Sequence, residues 1–170
     1  MIIKKWEDKA PRVDANTYLA ENATLIGDVT IDENASIWYG AVVRADFGPV
    51  TIGKNTCIQD NSVIHANTII KDNCIIGHGV IMQGCIIEEG SLIGMNATIL
   101  DDNIIGAGSV IAAGSVVVKD TIIPPGSMVM GVPAKVTRQL TTAELSTITQ
   151  RTKKYVDTAS KQLTAFKDRL

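Results

Sequence analysis

The sequence predicts an all-β fold, a parallel β-helix built from six-residue units and followed by one α-helix. Two observations carry that reading. Twenty aliphatic residues between Val13 and Val129 open units of six, and eighteen of those units place Asn, Asp or Gly three residues later. These three residue types tolerate positive φ, so each unit supplies a left-handed corner after a short extended stretch. The fifth place of the unit is mostly small, as at Thr56, Ser62, Ser91, Ser109 and Ser115, which lets successive turns pack closely. A short period held over more than a hundred residues marks a solenoid in which three units make one triangular coil. A β-sandwich of short strands gives no reason for so constant a phase.

The elements follow in order. Met1 to Pro11 precede the repeats and form a lead-in segment, expected to cover the open bottom of the stack. Coils then run from Val13, their aliphatic first positions forming an internal ladder. The phase breaks twice. Three extra residues between Val43 and Ile52 predict a loop over Ala45-Asp46-Phe47-Gly48-Pro49, and one residue is missing between Met82 and Ile87. Irregularities in a repeat array tend to mark functional loops. The repeats stop near Pro133, which assigns residues 1–136 to the β-helix and 137–170 to a helical segment. Thr141 with Glu144 reads as a capping box. Leu145, Ile148, Thr152, Tyr155, Val156, Ala159, Leu163 and Phe166 give the helix one apolar side, predicted to pack along the coils or on a neighbouring subunit.

Composition narrows the function classes. A net charge of −2 and only 4% aromatic residues, without a basic stripe, exclude a nucleic-acid binder. No membrane-length apolar run is present, because Lys4, Lys5, Glu7 and Asp8 interrupt the N-terminus. Three cysteines, an odd number without zinc-finger spacing, predict a reduced, cytoplasmic setting.

The phase also fixes which polar side chains stack. Units opening at Val43, Ile64 and Met82 are three units apart and align Arg44, His65 and Gln83. Units opening at Ile37, Ile58 and Ile76 place Asp60 beneath His78, with Gln59 beside it. The two columns lie on different faces, so one subunit is poorly arranged to join them. A threefold oligomer would press one subunit's first column against its neighbour's second. Both phase breaks and the two histidines of the chain fall in this region, which favours a functional over a decorative reading.

At these residues the chain resembles the gamma-class carbonic anhydrase-like family of hexapeptide-repeat proteins. The matching stretches are Arg44-Ala45-Asp46, Ile58-Gln59-Asp60 through Ile64-His65, Ile76-Gly77-His78, Gly84-Cys85, and Gly131-Val132-Pro133-Ala134-Lys135. The resemblance implies a left-handed β-helix, against the usual right-handed crossover, and a homotrimer with sites between subunits. It implies that three histidines hold a divalent metal, His65 from one subunit and His78 from the next, with the third position falling at Gln83. Two imidazoles and water are then left to hold zinc, cobalt, nickel or iron more weakly than three would. Arg44 and Asp46 match the family's inter-subunit ion pair, while Gln59 and Asp60 match residues that position the metal-bound water. Tyr155 matches a helix tyrosine near the site, and a core contact accounts for it equally well. Phe47, Cys57 and the unbroken phase from Ile64 to Ile76 depart from the family pattern.

Three functions compete on this basis. The first is weak metal-dependent hydration or hydrolysis of a small substrate such as CO2 or bicarbonate. The second is an acyltransferase or thioesterase acting on acyl-CoA esters, since Ile105-Gly106-Ala107-Gly108-Ser109 through Pro133 also looks like hexapeptide acetyltransferases. There His65 or His78 would serve as general base. The third is a trimeric scaffold without chemistry.

Overall fold

The computed structural model describes residues 1–167, leaving out the side chains of Phe166 and Lys167, so the expected contact of Phe166 lies outside the described residues. It is a left-handed parallel β-solenoid with one C-terminal α-helix, Thr142–Lys167. Strands of mostly two or three residues stack into three faces. Where the phase is unbroken, paired residues are eighteen apart, as Cys57 with Ile75 and Ile64 with Met82. The extra residues stretch the pairing of Ser36 with Cys57 to twenty-one, and the missing one shortens Ile76 with Ile93 to seventeen.

The corners explain the repeat. Asn55, Asn61, Asn67 and Asn73 sit at φ between 56° and 60°, and fourteen of the eighteen Asn, Asp or Gly positions adopt positive φ. The exceptions are local. Gly27 takes the corner expected at Asp28, and Gly84, at φ 60°, turns the chain where the residue is missing. Asn22 instead accepts the backbone N–H of Gly40 through its side chain. The ladder of Ile37, Ile58, Ile76, Ile93 and Ile111 is fully buried, each side chain contributing roughly 1.5–3 kcal/mol by leaving water. The small fifth positions do more than save space. The hydroxyls of Thr56, Ser62, Ser91 and Ser109 donate to the carbonyls of Lys71, Gly77, Gly106 and Pro124 on the next coil at 2.8–3.2 Å. Buried hydroxyls are thereby satisfied.

Three expectations need correction. Ala45 to Pro49 form no loop but lie within one strand, Val42–Ile52. That strand runs along Thr24–Ile31 on one side and divides its other side between Val63–His65 and Thr68–Ile70. The extra residues therefore bridge a corner in extended form and leave Phe47 76% exposed. The β-structure also continues past residue 136, because Ala134–Gln139 returns antiparallel to Ser127–Gly131. The helix then starts at Thr142, where Glu144 accepts the Thr141 N–H at 2.9 Å and returns its own N–H to the Thr141 hydroxyl. The lead-in covers the bottom of the stack along one face only. Ile2–Lys4 pairs as a further strand with Thr24–Ile26, leaving Ile2 and Ile3 exposed.

The helix covers one face only. Ile148, Thr152 and Ala159 are buried, the Thr152 hydroxyl contacts the Asn73 carbonyl, and Tyr155 meets Trp38 edge-on at 6.2 Å. The other two faces carry bare apolar side chains, including Ile81 at 54% and Ile122 at 72% exposure.

Candidate functional site

Parallel register builds the first column. Arg44 pairs with His65, and His65 with Gln83, on three successive strands. Asp46 reaches back from the long strand to both Arg44 and His65. Its Oδ1 lies 3.0 Å from His65 Nε2 and its Oδ2 3.4 Å from Arg44 Nη1. His65 Nδ1 is 3.3 Å from Gln83 Oε1, and Gln83 Nε2 donates to both oxygens of Asp101 at 3.1 and 2.9 Å. Burial pushes the Asp46 carboxyl upward, but hydrogen bonds from His65 and its own backbone N–H, with the Arg44 charge, hold it below its ordinary value. Phe47 stands edge-on to the His65 ring at 5.7 Å. The ring thus has an acceptor beside each nitrogen. The Arg44–Asp46 pair, expected between subunits, is already made within one chain.

The second column is built differently. Asp60 Oδ2 holds His78 Nδ1 at 2.8 Å, which fixes the ring and leaves Nε2 unengaged among the described hydrogen bonds. Gln59, beside Asp60, is buried. His78, Gln59 and Tyr155 line a groove of about 390 Å³ between the helix and the coils, together with Met95, Arg151 and Lys154. Burial holds the Tyr155 phenol above its ordinary value. Cys57 adds to the rise, while Arg151 and Gln59 oppose it. Tyr155 is therefore both a core contact, through Trp38, and a wall of the groove.

The structure brings Gln59, Asp60, His78 and Tyr155 together on one edge, and Arg44, Asp46, His65 and Gln83 on another. It does not join the two sets within one chain. Among the described residues, no group of three or more His, Cys, Asp or Glu is placed to hold a metal ion. Cys57, Cys74 and Cys85 are buried and unpaired, and burial pushes each thiol up to about 12, so they are poor nucleophiles. Sequence reasoning missed Arg151, Lys154 and Asp101. Asp101 lies one residue past the position in register with Gln83, because the missing residue shortens the period there to seventeen. Arg151 and Lys154 carry no signal in the repeat, because only the docking of the helix aims them.

Fold and columns together define a hexapeptide-repeat β-helix protein with polar columns along its edges. Comparison with known proteins gives the family. Residues 25–153 match the family described as the GMPPB C-terminal domain. The chain is 39% identical over 160 residues to a carbonic anhydrase of Geobacillus kaustophilus, covering 92% of this chain and 88% of that protein. It is 40% identical over 162 residues to the mitochondrial gamma carbonic anhydrase 2 of Arabidopsis thaliana. That match covers 89% of this chain but only 58% of the length of the plant protein. A crystal structure of a hexapeptide transferase family protein from Anaplasma phagocytophilum superposes with a TM-score of 0.91 at 34% identity, covering 93% of this chain and 96% of that one. The chain belongs to the gamma-carbonic-anhydrase-like family of hexapeptide-repeat proteins. Among the described residues no helix is long and apolar enough to cross a membrane.

Proposed function

We propose that the chain works as a homotrimer in which the His65 column of one subunit meets the His78 column of the next, forming a reduced metal site for hydration or hydrolysis of a small substrate. The observation that carries this reading is the His78–Asp60 contact of 2.8 Å. Ligating histidines characteristically donate their second ring N–H to a carboxylate, which orients the free nitrogen toward the ion. The two bare apolar faces support assembly, since exposed apolar area of this kind marks interaction surfaces. His65 fits less well, because Gln83 Oε1 must leave Nδ1 before that nitrogen can ligate. Two imidazoles and a carboxamide suit a weakly held divalent ion. When bound, such an ion supplies a water acidic enough to act as hydroxide near neutral pH. The protein's own part is to hold His78 through Asp60 and to wall the site with Gln59 and Tyr155.

The test has two arms. Sedimentation of the purified protein should give a trimer, and Ile81→Asp should dissociate it by placing a charge on a buried face; a monomeric parent protein rejects the assembly. Titration with zinc or cobalt should show binding that His78→Ala and His65→Ala each abolish. Binding that survives both substitutions places the ion elsewhere.

A second reading is favoured by the groove and the same dyad. With no ion, the Asp60–His78 pair has the form of a general base oriented by a carboxylate, and a 390 Å³ groove accommodates an acyl group. Several solved proteins of this fold were captured with coenzyme A. Thioester hydrolysis that persists after metal chelation and disappears in His78→Ala would favour this reading over the first.

A further inference from the structure

The groove beside His78 is far larger than CO2 requires, and its charge has one sign. Its volume is about 390 Å³, and its floor includes Ile75, Leu92 and Met95. Arg151 and Lys154 enter from the helix, three residues apart and hence on one side of it, and no Asp or Glu lines the space. Among the described residues neither cation has a carboxylate within ion-pair distance. Their neighbour Lys153 lines a different hollow, beside Asn73 and Glu89. Unpaired cations over an apolar floor recognise a molecule with an anionic head and an apolar body, because a charge-assisted contact to the head adds to burial of the body.

We propose that this groove binds a small organic anion, an apolar acyl or aryl body ending in a carboxylate or phosphate, whose head is held by Arg151 and Lys154. The inference rests on the function above in one respect, that His78 is the reactive edge of the groove. The substrate would then be an ester or thioester carrying an anionic group, with its body lying along Ile75, Leu92 and Met95.

The test uses metal-free, chelator-treated protein with hexanoate, hexyl phosphate and neutral hexanamide as probes, followed by calorimetry and by NMR of the His78 and Tyr155 rings. Both anions should bind and shift those rings, with hexanamide weaker by about tenfold or more; the tighter anion identifies the preferred head group. The double variant Arg151→Gln/Lys154→Gln should weaken anion binding by a similar factor, while Lys153→Gln leaves it unchanged. Both cations are exposed to solvent within the groove, so unaltered thermal melting should accompany the loss. Hexanamide binding as tightly as the anions, equal weakening by Lys153→Gln, or no binding of either anion overturns the proposal. Because no metal is present, failure of the inter-subunit metal site leaves these outcomes untouched. Conversely, loss of anion binding leaves the zinc titration as it was.

Discussion

His65 follows a buried isoleucine directly and His78 follows one at two residues, and their surroundings give them opposite characters. His65 is 17% exposed and held on both sides, by Asp46 at 3.0 Å and by Gln83 at 3.3 Å. His78 is 46% exposed and held on one side only, by Asp60 at 2.8 Å. The residues one coil above and below decide the difference. A β-helix stacks side chains about 4.8 Å apart, so each position is read together with its neighbours eighteen residues away. Gln83 above His65 closes that ring into a polar chain running from Arg44 to Asp101, whereas nothing comparable closes His78. The first column has the character of a structural network and the second of a poised reactive group.

The largest expected effect comes from removing the residue that closes the His65 column. Gln83 pairs directly with His65, so Gln83→His places two imidazoles on adjacent strands at a spacing that lets both reach one ion at about 2.0–2.1 Å. Asp101, which now accepts both hydrogen bonds from Gln83, would accept the N–H of the new ring and orient it. Zinc or cobalt affinity should rise on the order of 100-fold, and added metal should raise the melting temperature, since a ligand of the assembled state stabilises it. Unchanged affinity by calorimetry would show that positions 65 and 83 cannot share an ion.

The second effect tests the open ring. Asp60→Asn removes the carboxylate that fixes His78 and should lower turnover, metal-dependent or not, by about 10–100-fold. Stability should hardly change, because both side chains are substantially exposed and surface pairs contribute little. Full activity in Asp60→Asn would remove His78 from the chemistry and leave the groove as a binding site only.

What the sequence made legible, and what it did not, follows the same division between local and distant causes. The corners at Asn55, Asn61, Asn67 and Asn73 are dictated by backbone sterics of single residues, so a repeat pattern reveals them. From the corners the register follows, and from the register the stacking of Arg44, His65 and Gln83 and of Asp60 under His78. The expected loop at Ala45 to Pro49 failed for a reason of pairing. Pairing is kept through Ala45 and resumes at Val50, so the extra residues sit at a register shift inside the strand, which an insertion count cannot reveal. Glycine at position 48 fits this close packing, since a Cβ there would lie 2.0 Å from Asn67 Oδ1. Arg151 and Lys154 were equally hidden. Their aim depends on the return strand Ala134–Gln139 and on how Ile148, Thr152 and Ala159 seat the helix, contacts with no short-range signature.

The smallest effect separates charge from shape in the His65 column. Asp46 is held below its ordinary value, with hydrogen bonds and the Arg44 charge outweighing the upward push of burial. A carboxylate depressed in the folded state stabilises the fold above its unfolded pKa of about 4 and loses that contribution as pH falls through the folded value. Asp46→Asn keeps the size of the side chain but removes the charge facing Arg44 and His65. The parent protein should therefore melt slightly higher than Asp46→Asn at neutral pH, and the gap should narrow as pH drops below about 4. The shift should stay small, because Arg44 is half exposed and solvent screens the pair. Arg44→Gln should reproduce part of the neutral-pH gap, leaving the remainder to His65. Melting curves from pH 3 to pH 7 would decide the matter, for a gap of constant size across that range would mean that packing and hydrogen-bond geometry, not the Asp46 charge, hold this column together.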